Sequence, residues 1–182
     1  EGRRIILEAL RRDRYYAAAV EAEAVRAKGG TTYVFSVARN GRYRIGRFDI
    51  EGEAALSAKD IRGAASRVPL SKERGLWNLV NRPRLAVRSV LRALHGRGYA
   101  KAVVGAPRIV EDRARRRIDL VLPVQTGPRS LVRSVAFAAS DAFKAEDLRR
   151  VLRLTEGRPF APDQFLEDRT ALLNLCHSRG FG

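Results

Sequence analysis

The chain repeats itself at a spacing that a small domain fills. Arg97-Gly98-Tyr99 returns 82 residues later as Arg179-Gly180-Phe181, and Asp60-Ile61 returns 87 residues later as Asp147-Leu148. Tyr16-Ala17-Ala18-Ala19-Val20 returns 83 residues later as Tyr99-Ala100-Lys101-Ala102-Val103. A period of roughly 85 residues makes each copy one supersecondary unit in a tandem array. The copies are out of phase with the ends, since the chain opens inside one and stops inside another. It is therefore expected to be a window on a longer array.

The middle copy reads as a complete unit. Tyr43, Ile45, Phe48 and Ile50 predict a strand with a slip near Gly46-Arg47, ended by Gly52. Ser57 is placed to cap a helix over about 58–67, which Pro69 ends. A second helix is expected from Pro83 to Arg97, with Val87, Val90, Leu91 and Leu94 as its apolar stripe and Gly96 and Gly98 closing it. Two strands follow. The first is Tyr99 to Val110, interrupted by Gly105 and Pro107; the turn is Glu111-Asp112-Arg113-Ala114. The second carries Ile118, Leu120, Leu122 and Val124 at period two. Strand, helix, helix, strand, strand predicts an α+β unit in which two helices cover one face of a three-stranded mixed sheet.

The flanking copies fit the same template. Ile5 to Arg14 reads as the end of a second helix, and Tyr16–Arg26 and Thr31–Arg39 as strands turning at Lys28-Gly29-Gly30. Beyond Gly127-Pro128, Val132, Val135 and Phe137 match Ile45, Phe48 and Ile50, with helices at Lys144–Arg153 and about 161–179. Gly52 has Ala139 as its counterpart there. The units divide as 1–42, 43–127 and 128–182. The middle copy is longer around Ser71 to Asn81, a segment that carries the sole tryptophan, Trp77. Trp77 either caps the helix–sheet core or stands exposed as an anchor for a partner.

The net charge of +16 over 182 residues favours anionic partners or surfaces, although a sequence rich in Ala and Arg and poor in Lys carries part of that charge by composition. Arg84, Arg88 and Arg92, spaced i, i+4, i+8, form a basic stripe that is either a solvated helix face or a contact for an anionic partner. A single cysteine excludes an internal disulfide, no run of 18 apolar residues spans a membrane, and Glu1 to Ile5 lacks a signal-peptide layout. Cys176 aligns with Leu94, which makes it a core residue rather than a nucleophile, and His177 aligns with His95 near a helix C-terminus. No catalytic residue, metal site or cofactor is expected.

The order and spacing of these motifs resemble the polypeptide-transport-associated (POTRA) domains of the BamA/TamA type of outer-membrane assembly protein. Tyr43 to Gly52, Leu56 to Ile61, Leu91 to Tyr99, Val103 and Leu120 to Val124 carry the resemblance. So do Gly157-Arg158-Pro159-Phe160, like the family's G-x-P-F step, and Gly180-Phe181, like its G-[YF] step. The resemblance implies a non-enzymatic periplasmic arm of an outer-membrane protein in a Gram-negative bacterium. Such an arm binds unfolded outer-membrane proteins by strand addition and docks accessory lipoproteins or periplasmic chaperones. It also implies that the strand after the second helix is the receptive edge, with Tyr99, Lys101, Val103 and Val104 as client-binding positions. A basic face beneath a membrane would meet lipid head groups.

Two alternatives stay open. One is the POTRA region of a two-partner secretion or translocation pore. The other is a basic nucleic-acid-binding domain, against which Tyr33, Phe35, Phe48 and Phe137 fall at alternating, core-like positions rather than on an exposed stacking platform.

Overall fold

A side-chain period of two turns Ile118, Leu120, Leu122 and Val124 onto one face, and their strand lies at the centre of the sheet. The computed structural model describes residues 1–69, 71–138 and 143–181. In chain order the elements are α1 (Gly2–Arg12), β1 (Ala19–Ala27), β2 (Gly30–Ala38), β3 (Arg44–Glu51), α2 (Ala58–Ser66), α3 (Trp77–Asn81), α4 (Pro83–His95), β4 (Val103–Val104), β5 (Arg108–Asp112), β6 (Arg117–Gln125), α5 (Ala145–Val151) and α6 (Pro162–Ser178). Parallel pairing joins β3 to β6, while β4 and β5 follow each other antiparallel along the other side of β6. The hairpin β1–β2 is a separate antiparallel ribbon.

The core lies between this mixed sheet and the helices. Ile118, Leu120, Leu122 and Val124 are fully buried, together with Ile61 and Ala65 of α2 and Ala86, Val90 and Leu94 of α4. Val87 and Leu91 flank that stripe half-buried. The Ser57 hydroxyl accepts the Asp60 N–H and caps α2, and Pro83 opens α4. The slip expected at Gly46-Arg47 is a register shift between Ile45 and Phe48, where the Arg47 N–H donates to Asp119 Oδ1 at 2.7 Å. Gly52 ends the strand with φ of 99°, and a Cβ there would sit 2.6 Å from the Val124 carbonyl oxygen. Its counterpart Ala139 lies outside the described residues.

Several expectations need correction. Tyr99 to Ala102 is not strand; Tyr99–Val110 is reduced to β4 and the start of β5, which itself runs on to Asp112. Pro123 gives the reason for the break. It has no N–H to donate across the ladder. Opposite it, three residues (105–107) face two (122 and 123), so the register slips by one between the Val104–Val124 and Arg108–Val121 pairs. Glu111 and Asp112 belong to β5, and the turn is 113–116, with Arg116 at φ 48°. Residues 131–138 form no strand beyond an isolated bridge from Leu131 to Pro159. Among the described residues no strand lies beside them, and a strand needs a partner to satisfy its backbone.

The repeat is also shifted by one residue in the first copy. The N–H of Tyr15, Tyr99 and Phe181 each donates to the carbonyl five residues back, on Leu10, Leu94 and Cys176, at 2.9, 3.1 and 3.0 Å. Tyr15, not Tyr16, is thus the counterpart of Tyr99. The residue before it takes the left-handed conformation in all three: Gly98 at φ 92°, Gly180 at φ 83°, and Arg14 at φ 72°. The chain further on is tied to this turn twice in the same way, by Tyr43 N–H to Arg14 O at 2.8 Å and by Ser130 N–H to Gly98 O at 2.7 Å.

Two substitutions test the packing. Leu120→Ala is expected to cost about 2–5 kcal/mol in urea unfolding. Gly52→Ala is expected to cost about 1–3 kcal/mol through its left-handed backbone. Gly52→Ala at wild-type stability would contradict the strand end described.

Candidate functional site

The sheet has two open edges, and their side chains differ. On the β3 edge, Arg47, Asp49 and Glu51 alternate outward, and the bulge at Gly46-Arg47 bends the strand, both of which protect an edge from further pairing. The β4–β5 edge is apolar where it is most open: Val103 is 61% exposed and Val110 is 58% exposed, with Ile109 exposed between Arg108 and Val110. Backbone groups on the outer side of β5 meet no other strand among the described residues.

Charged contacts hold this edge in place. The buried Tyr43 hydroxyl donates to Glu111 Oε1 at 2.7 Å, joining the start of β3 to β5 across β6. That bond, reinforced by Arg113, holds the Glu111 carboxyl below the usual carboxylate range against the opposing effect of burial. Burial, then the Glu111 bond, pushes the Tyr43 phenol up. Asp119 is lowered first by the Arg47 backbone N–H, then by the charges of Arg117 and Arg47. Arg108 bridges to Glu51, so the outer face of the sheet is laced from β5 to β3.

The POTRA family model, described as surface antigen variable number repeat, matches residues 131–181. The crystal structure of Haemophilus influenzae BamA POTRA3-5 is similar over 94% of this chain and 67% of its own, with a TM-score of 0.51 at 18% identity. The POTRA match is thus confined to the C-terminal part of the chain, residues 131–181. None of the curated proteins matches it. At this identity the structural likeness speaks for the fold, an α+β arrangement of mixed sheet and helices.

Within this arrangement the sequence-predicted residues scatter. Val103 and Val104 form β4, with Val103 outward and Val104 buried. Tyr99 and Lys101 lie in the turn before it, outside any strand. Trp77 is 7% exposed and packs in the core beside Leu76 and Leu79, so it caps the core. Arg84, Arg88 and Arg92 are exposed on α4, but Arg92 Nε stands 3.9 Å from Asp163 Oδ2 on α6, which removes one member from a free stripe.

The core positions expected of Tyr33 and Phe35 are overturned. Tyr33 is 68% exposed, and Phe35 and Val37 are exposed beside it. The hairpin packs against α1, where Phe35 reaches Gly2, yet these side chains stay exposed, whereas Ile118, Leu120 and Leu122 of β6 are fully buried. Cys176 is half-buried, lining an apolar cavity of about 710 Å³ with Phe137, Leu172 and Phe165. The expected edge strand, Tyr99 to Val110, contained Ile109 and Val110 without singling them out as client-binding positions; Pro123 in the partner strand is the signal that the ladder breaks and restarts there.

Tyr43→Phe is expected to cost about 1–3 kcal/mol, because Glu111 loses a donor to a charged acceptor. Glu111, Asp112 and Asp119 all have folded pKa values below their unfolded ones. Their stabilising effect is complete above the ordinary carboxylate range and lost as pH falls through it. The thermal midpoint should therefore drop on acidification below about pH 4–5, less steeply in Asp119→Asn; an identical acid profile in that variant would refute the role of Asp119.

Proposed function

We propose that this chain is part of the periplasmic arm of an outer-membrane protein, dividing into POTRA units at 1–42, 43–127 and 128–182. It would receive unfolded outer-membrane proteins by strand addition along β4–β5, and dock accessory lipoproteins or chaperones. The observation that carries the reading is the contrast between the two sheet edges: apolar and open at Val103 and Val110, charged and bulged at β3. An extended client paired there satisfies its backbone without regard to its sequence, which suits a receptor for many clients. The POTRA match and the BamA-like fold support the class. The role is that of a binding scaffold with no chemistry of its own.

Photo-crosslinkers at Val103 and Val110 are expected to trap an unfolded outer-membrane protein peptide, while one at Asp49 does not. Ile109→Pro, which removes an N–H pointing away from β6, should reduce trapping at Val110 at least about fivefold and cost less stability than Val110→Pro, which breaks a ladder bond to Asp119. Adducts confined to Asp49 would contradict the reading.

A further inference from the structure

A cleft of about 370 Å³ opens where the α1–β1 turn meets the start of β3. Arg14, Arg44, Arg62 and Arg74 line it, with Ile45 and Trp77 among its other walls. The four arginines come from four separate segments: the turn after α1, the first residue of β3, helix α2, and the loop before α3. No carboxylate lines the cleft, and among the described residues none of the four makes an ion pair. Most other arginines of the outer sheet face are paired, including Arg47, Arg108, Arg113, Arg115 and Arg117.

The repeat gives an independent reason to look here. Arg14 occupies the left-handed position that is glycine in the other two copies, Gly98 and Gly180. A long side chain is strained in that conformation, and strain of this kind concentrates where a side chain has work to do. Here it places a fourth arginine, from the turn after α1, at the cleft.

We propose that this cleft binds a phosphate-bearing ligand of at least two negative charges. Four arginines lining one cleft without a carboxylate repel one another unless a counter-ion is present, and a guanidinium is a planar fork of donors. A lone carboxylate would balance one charge of four. A phosphomonoester or diphosphate supplies both the charge and enough acceptor oxygens for forks approaching from several sides. The site is separate from the β4–β5 edge, and its occupancy is independent of client binding there.

Trp77 is the sole tryptophan and lines the cleft, so it serves as the reporter. Pyrophosphate titrated at constant ionic strength is expected to change its emission saturably. Binding should weaken at least about tenfold in Arg14→Gly and in Arg62→Ala, and stay unchanged in an Arg84→Ala/Arg88→Ala control. Arg14→Gly relieves backbone strain, so thermal unfolding should show equal or higher stability beside the lost binding, which separates the site from a folding defect. Vesicles of phosphatidic acid in phosphatidylcholine that displace pyrophosphate would identify a lipid head group as the source; no displacement would identify a soluble phosphate. The proposal is overturned by no saturable response, by equal weakening in the Arg84/Arg88 control, or by polyglutamate displacing pyrophosphate at lower charge concentration than phosphatidic acid or pyrophosphate itself.

Discussion

The parallel pairing of β3 with β6 holds the middle unit together. β6 comes last among the unit's strands but lies at its centre, so the sheet closes only when residues about 70 apart meet, Ile45 with Ile118 and Ile50 with Leu122. That pairing puts four branched residues of β6 beneath α2 and α4. It also leaves β3 and β4–β5 as the two edges, and hence fixes where another chain could add. Burying apolar area is the main favourable term, but the bulge at Gly46-Arg47, pinned by Asp119, and the Tyr43–Glu111 bond set the register in which that area is buried.

The same physics explains what could be read from the sequence. Ile118 to Val124 alternates cleanly because one face of β6 is wholly buried, and Ser57 and Pro83 mark helix starts through local backbone chemistry. These signals are local and survive without a structure. The break in the edge strand was harder to see, because its cause, Pro123, lies on the neighbouring strand. Trp77 resisted assignment because a five-residue helix, α3, has no periodic signature, and only burial distinguishes a cap from an anchor. The expectation of core positions for Tyr33 and Phe35 came from a correct strand pattern; period two says which face a residue shares, not whether anything covers that face.

The repeat acts as an internal control on charge and backbone alike. Where the three copies agree, as in the bond from Tyr15, Tyr99 or Phe181 back to the helix, the turn is a property of the fold. The two junctions, Tyr43 to Arg14 and Ser130 to Gly98, reuse that turn to hold the chain further on. Where the copies differ, as with Arg14 in a glycine position, the difference belongs to one junction and asks for its own explanation. The positive charge is spread over helices, strands and loops alike, and the four arginines that line one cleft are the part of it proposed as a site.

The central claim is that β4–β5, and not β3, is the receptive edge of the middle unit. Hydrogen exchange with and without an extended peptide of alternating apolar and polar residues measures this directly. The account predicts that the outward amides of β5, Ile109 and Glu111, become protected on peptide addition while those of Arg44 to Glu51 do not change. New protection confined to Arg44–Glu51, or none on β5 at saturating peptide, would contradict it.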